Sequence, residues 1–153
     1  MLYGLALLIG VIAGLRAMTA PAAVSWAVAA EWVPVEGTPL AFLGASATPW
    51  IFTVLALGEL VTDQLPQTPS RKVPIQFGGR LVAGALSGAA IGTAAGSSWV
   101  GAGLGLVGAI VGTLGGAEAR AGLARAFGRD LPAALIEDVV AVGGAALIVS
   151  SLT

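Results

Sequence analysis

From Leu2 to Ala30 the chain carries one charged side chain, Arg16, and one proline, Pro21. A single helix over that stretch would run to about 43 Å, longer than the ~30 Å hydrocarbon core of a bilayer. A permanent charge and a helix breaker near its middle therefore predict a break near residues 16–21, with a partner waiting for the guanidinium. The rest of the chain shares the apolar character. Hydrophobic residues make up 57% and charged residues 10%, and the mean hydropathy is +0.95. Soluble domains carry about 25% charged residues, so too little polar surface is present to face water. The sequence predicts an all-α polytopic membrane protein forming a single transmembrane domain over residues 1–153. Its five expected spans are residues 2–30 with the internal break, 49–65, 77–96, 100–117 and 132–152. The first lacks a charged n-region and continues past any small-residue cleavage site, so it is expected to be retained rather than cleaved as a signal peptide.

Thr and Pro punctuate the first half as Thr19-Ala20-Pro21, Thr38-Pro39, Thr48-Pro49 and Thr68-Pro69, and Asp130-Leu131-Pro132 follows later. A Thr or Asp side chain caps a helix, and Pro suits its first turn. Each is an expected helix start, including a short helix over residues 39–45. The stretch "EARAGLARAFGRD" from Glu118 reads as a polar helical extension of the fourth span. Arg71, Lys72 and Arg80 flank the loop after the second span, and Arg120, Arg125 and Arg129 fill the loop after the fourth. Five alternating spans put both loops on one side. The positive-inside rule then predicts a cytoplasmic N-terminus and an external C-terminus in a bacterial inner membrane.

Gly84, Gly88, Gly92 and Gly96 recur every fourth residue, as do Gly108, Gly112 and Gly116. This spacing lines one helix face with small residues and lets membrane helices approach closely. Helix packing is the primary expectation for Gly84, Gly88, Gly92, Gly108 and Gly112, and a Gly-lined pore or a homo-oligomer contact the secondary one. "GVIAGLRAMTA" at Gly10 parallels "GAIVGTLGGAEAR" at Gly108, and "ALGELVTD" at Ala56 parallels "ALIEDVVA" at Ala134. Spans one and two would then repeat as spans four and five around a central third helix, with inverted topology.

Arg16, Glu59, Glu137 and Asp138 fall inside apolar runs, and Asp63 lies near the end of one. A charge at mid-span costs about 2.5–3.5 kcal/mol on insertion scales and seeks a partner or a wet cavity. Glu59 and Asp63, four residues apart, share a helix face, and Arg16 is their expected cation. A helix starting at Thr19 would aim free N–H groups at the same region. Arg16, Thr19, Glu59, Asp63, Glu137 and Asp138 are thus the candidate path for a small anionic or zwitterionic solute or an ion. Glu59 or Glu137 is the candidate carrier of a coupled proton. Ser70, Arg71 and Lys72, bracketed by Pro69 and Pro74, form a second candidate, either a lipid-headgroup anchor or a gate.

The segments "AGLRAMTAPAAVSWA", "GELVTDQLPQTPSR" and "GRLVAGALSGAAIG" resemble a bacterial multipass membrane family known as domain of unknown function 4126. Gly14 to Arg16, Glu59 to Asp63, and Glu137 with Asp138 carry the resemblance, which covers nearly the whole chain. It implies a small inner-membrane protein and supplies no reaction or substrate.

Three function classes follow. The leading one is a small transporter or channel with a polar site near the midplane. The second is a structural or accessory membrane protein whose ion pairs fix helix packing. The third, a lipid-directed enzyme, lacks any catalytic motif. With neither His nor Cys, disulfides, Cys/His zinc sites and His-based triads are excluded, and no metal or cofactor is expected. A net charge of −1 gives no basic field for nucleic acid. The expected partners are the bilayer, further copies of the chain, and the solute.

Overall fold

Arg16 ends the first helix. In the computed structural model, which describes residues 1–65, 70 and 72–153, α1 (Leu2–Leu15) stops at Arg16 in an extended conformation, and α2 (Thr19–Ala29) starts three residues later. A short 3-10 helix (Pro39–Gly44) precedes α3 (Thr48–Thr62), α4 (Pro74–Ala94), α5 (Ser98–Phe127) and α6 (Asp130–Ser150). Among the described residues the fold is all-helical.

The punctuation works unevenly. Thr38 caps the 3-10 helix, its hydroxyl accepting from Leu40 N at 3.2 Å. Thr19, Thr48 and Asp130 are instead the first helical residues, and none of these three helices has a side-chain cap at its N-cap position. Thr68-Pro69 lies outside the described residues. The polar stretch from Glu118 continues α5 without interruption, giving 30 residues, about 45 Å. Gly128, in the left-handed conformation at φ 75°, ends it, because a residue without Cβ takes that geometry at no steric cost.

Helix directions follow from the glycine contacts. Gly84, Gly88 and Gly92 of α4 meet α5 at Gly105, Gly101 and Ser97 respectively, so these two run antiparallel. Gly10 of α1 faces Gly105, and Gly14 faces Ala109, Gly112 and Thr113. Rising numbers meet rising numbers, so α1 and α5 are parallel. Gly108 and Gly112 close the same seam against Leu7, Gly10 and Val11. Gly96 stands apart from the stripe, in the turn between α4 and α5 at φ +106°. On α6, Gly144 lies over Ile12 and Asp138 reaches Arg16, so α6 opposes α1. Met1 and Thr153 therefore sit at one end of the bundle.

This departs from five alternating spans, in which the first and fourth must oppose each other. It equally removes the inversion from the matched segments at Gly10 and Gly108: they pack side by side in parallel. The reason is the pair α2 and α3. Glu59 reaches Ala17 and Met18, while Trp50 and Thr53 meet Trp26, so the two short helices oppose each other and return the chain to the level of Arg16. Val24, Ala27 and Val28 of α2 share a core with Ile9, Ala83, Ala90, Ile91, Ala141, Ala145 and Ile148.

Among the described residues, only α5 and α6 are long and apolar enough by themselves to cross a membrane; α1, α2 and α3 are apolar but shorter. The outer surface is rich in bare aliphatic and aromatic side chains, among them Trp50, Val54, Val61, Val82, Trp99, Val139 and Leu147.

Candidate functional site

The break after α1 places Arg16 in the core with no solvent exposure. Its guanidinium meets three carboxylates. Nε donates to Asp138 Oδ1 at 2.8 Å, and Nη1 donates to Asp63 Oδ2 at 2.9 Å and Glu137 Oε2 at 3.3 Å. Nη2 stands 2.5 Å from Asp138 Oδ1, a charge contact off the hydrogen-bonding line. Nη1 also donates to the carbonyl of Leu15 at 3.1 Å. A planar fork can serve several acceptors at once, and here it gathers α1, α3 and α6.

Glu59 is not a direct partner of Arg16. Its two oxygens accept the backbone N–H groups of Ala17 and Met18, each at 2.7 Å. The N–H groups expected to face a solute at the start of α2 are thus already occupied by a carboxylate of the chain itself. The positive end of the helix dipole favours this placement. Among the described residues the nearest cation to Glu59 is Arg80, at 3.7 Å, which also lies 3.6 Å from Asp63. Arg80 is buried and donates to the Gly14 carbonyl at 2.8 Å, one of the carbonyls left open by the end of α1. Arg120 completes the cluster, donating to Asp130 at 2.9 and 2.6 Å, to Glu137 at 3.4 Å and to the Asp63 carbonyl at 3.0 Å. Gln64 Nε2 donates to Asp138 Oδ2 at 2.9 Å.

No family model, curated protein or solved structure matches the chain.

Of the sequence-predicted residues, Arg16, Glu59, Asp63, Glu137 and Asp138 come together. Thr19 is buried beside them, with its hydroxyl unpartnered among the described residues. Ser70 and Lys72 stay apart on the surface: Ser70 Oγ accepts from Lys72 N, and Lys72 meets Glu118 at 3.3 Å with both side chains exposed. Arg71 lies outside the described residues. Arg80 and Arg120, expected as loop anchors, prove to be members of the cluster. The sequence did hold a signal for them: Arg80 sits four residues before Gly84 and Arg120 four after Gly116, each on its helix's close-packing face. Among the described residues no group of His, Cys, Asp or Glu side chains is disposed to hold a metal ion.

The cluster is not sealed. A crevice of about 280 Å³, lined by Ala17, Met18, Glu59, Thr62, Asp63, Ile75, Gln76 and Gly79, opens beside it between α3 and α4. A smaller cleft of about 120 Å³, apolar but for Arg120 and Glu137, lies between α5 and α6.

Proposed function

We propose that this chain is a bacterial inner-membrane protein, of the kind its resemblance to domain of unknown function 4126 implies, that passes a small charged solute through the Glu59–Asp63 crevice. The observation that carries the reading is that crevice, which brings a water-accessible mouth to charges otherwise held in an apolar core. Burying such charges is expensive unless they are paired or put to use. Glu59 already fills the N–H seat at the start of α2, and the charged side chains that line the crevice are the carboxylates of Glu59 and Asp63. A carboxylate lining favours a small cation or a proton over an anion. Purified protein in liposomes, assayed for proton, sodium, potassium, chloride and acetate flux, should show flux of a cation that Glu59→Gln abolishes. Protein-free rates for all five would instead favour the accessory reading, which the dense pairing of Arg16 supports.

The topology belongs to the same proposal. α4, α5 and α6 cross the bilayer, while α1, α2 and α3, about 21, 17 and 23 Å long at 1.5 Å per residue, are each shorter than its core: α1 leads from the end that holds Met1 to the level of Arg16, and α2 and α3 form a pair that leaves that level and returns to it. Arg16, Lys72, Arg80, Arg120, Arg125 and Arg129 gather at one end, which the positive-inside rule makes cytoplasmic. Both termini are then external, in place of a cytoplasmic N-terminus with five spans. Reporter fusions at Met1 and Thr153 should give the same side; opposite sides would overturn this arrangement.

A further inference from the structure

α3 is held differently from the other helices of the bundle. Among the described residues it packs closely only on α2 and on the 3-10 helix. Of its residues only Pro49 and Ala56 are buried, while Trp50, Ile51, Val54, Leu57 and Val61 face outward. Its two ends are fastened by different physics. At the N-terminal end the Trp50 ring meets Trp26 edge-on, with centroids 5.0 Å apart, and Trp26 Nε1 donates to Thr53 Oγ1 at 2.9 Å. At the C-terminal end the attachments are charged or polar. Glu59 sits on the N–H groups of Ala17 and Met18, Asp63 sits on Arg16 with Arg80 nearby, and Arg120 holds the Asp63 carbonyl. Directly beside these attachments is the crevice.

We propose that α3 is a gate. It pivots on its aromatic end, and its carboxylate end leaves the α1–α2 break when Glu59 and Asp63 are neutralised, widening the crevice onto Arg16 and Arg80. Segments with few buried apolar contacts open at low cost. Here the remaining hold depends on charge, so a proton or a cation that neutralises it releases the helix. The groups facing the two carboxylates are Arg16 on α1, Arg80 on α4, Arg120 on α5, and Glu137 and Asp138 on α6. They stay behind as the lining of the opened crevice. The gate rests on the proposed passage of a solute for its use, but its motion is measurable without any flux.

The chain has no cysteine, so introduced thiols report alone. Val61→Cys on α3 and Ile75→Cys on α4, spin-labelled in lipid nanodiscs, report the separation of the two helices that flank the crevice. At neutral pH the pair should give one short distance. Adding Glu59→Gln and Asp63→Asn should add a second, longer population and raise the labelling rate of a separate Met18→Cys on the order of tenfold, the change for a shift of about 1.4 kcal/mol. If the neutralised protein fails to fold, the unsubstituted carboxylates titrated to acid pH in the same labelled pair supply the measurement. Unchanged distance and unchanged labelling in folded protein would overturn the gate. A bifunctional thiol cross-linker across the pair should then stop flux, and full flux through the cross-linked protein would also overturn it. Motion without any flux would uphold the gate and remove the transport reading.

Discussion

Arg16→Ala should destabilise the bundle by about 3–5 kcal/mol, the range for removing one partner of a buried ion pair. The loss has an address. Without Arg16, Asp63 keeps Arg80 and Glu137 keeps Arg120. Asp138 keeps only the neutral amide of Gln64 among the contacts described above. The carboxylate stranded by the substitution is therefore Asp138. Arg16→Met with Asp138→Asn should recover most of the lost stability, because pairing two neutral groups removes the uncompensated charge. Arg16→Met with Glu59→Gln should not, since Glu59 answers to the Ala17 and Met18 N–H groups. Arg16→Lys should recover only part, as one ammonium lacks the fork that serves three carboxylates. Thermal unfolding in one detergent ranks the four variants. Equal rescue by the Asp138 and Glu59 changes would show that the pairing is not as described.

The second large effect is Gly105→Ala. Gly105 is where three helices converge: its missing side chain is filled by Gly84 and Gly88 of α4, and Gly10 of α1 packs against its carbonyl. A methyl group there meets backbone on α4, and backbone cannot turn aside into another rotamer. Overpacking costs about 1–3 kcal/mol and occasionally more, and here both α4 seams and the α1 seam share the strain. The variant should lose about 3 kcal/mol or more, enough to prevent folding of a marginal bundle. Gly103→Ala, two residues away with nothing within 4 Å, is the control. It should be neutral or stabilise by up to about 1 kcal/mol through helix propensity. Equal effects at the two positions would refute glycine packing as the reason for the stripe.

The break at Arg16 was legible because charge and proline stand out against an apolar run. The helices α5 and α6 were legible by length and hydropathy, and the gathering of Arg16 with Asp63, Glu137 and Asp138 by the cost of isolated charge. What Glu59 holds was not legible. Its partners are two backbone N–H groups, which every residue but proline owns, so no residue type marks them. The relation of α1 to α5 was hidden for another reason. Apolar runs imply alternating passes, and the antiparallel pair α2–α3 adds a reversal that the composition of residues 2–30 disguises as the continuation of one span. The Thr-Pro steps failed as caps at Thr19 and Thr48 because both residues entered the helix instead of standing before it.

Arg16 and Asp138 are 122 positions apart. At synthesis rates of about 5–20 residues per second, the guanidinium waits on the order of ten seconds for that carboxylate to be made. Asp63 follows it after 47 positions and is the earlier counter-charge. In a bilayer the nascent N-terminal half must keep Arg16 near the headgroups or beside the insertion machinery until then. The glycine seam of α1 has no partner until α5 emerges. A ribosome stalled before residue 98 would therefore carry a helix whose closest-packed face is unclaimed and whose C-terminal guanidinium has Asp63 but neither carboxylate of α6, the state most open to capture by a quality-control protease.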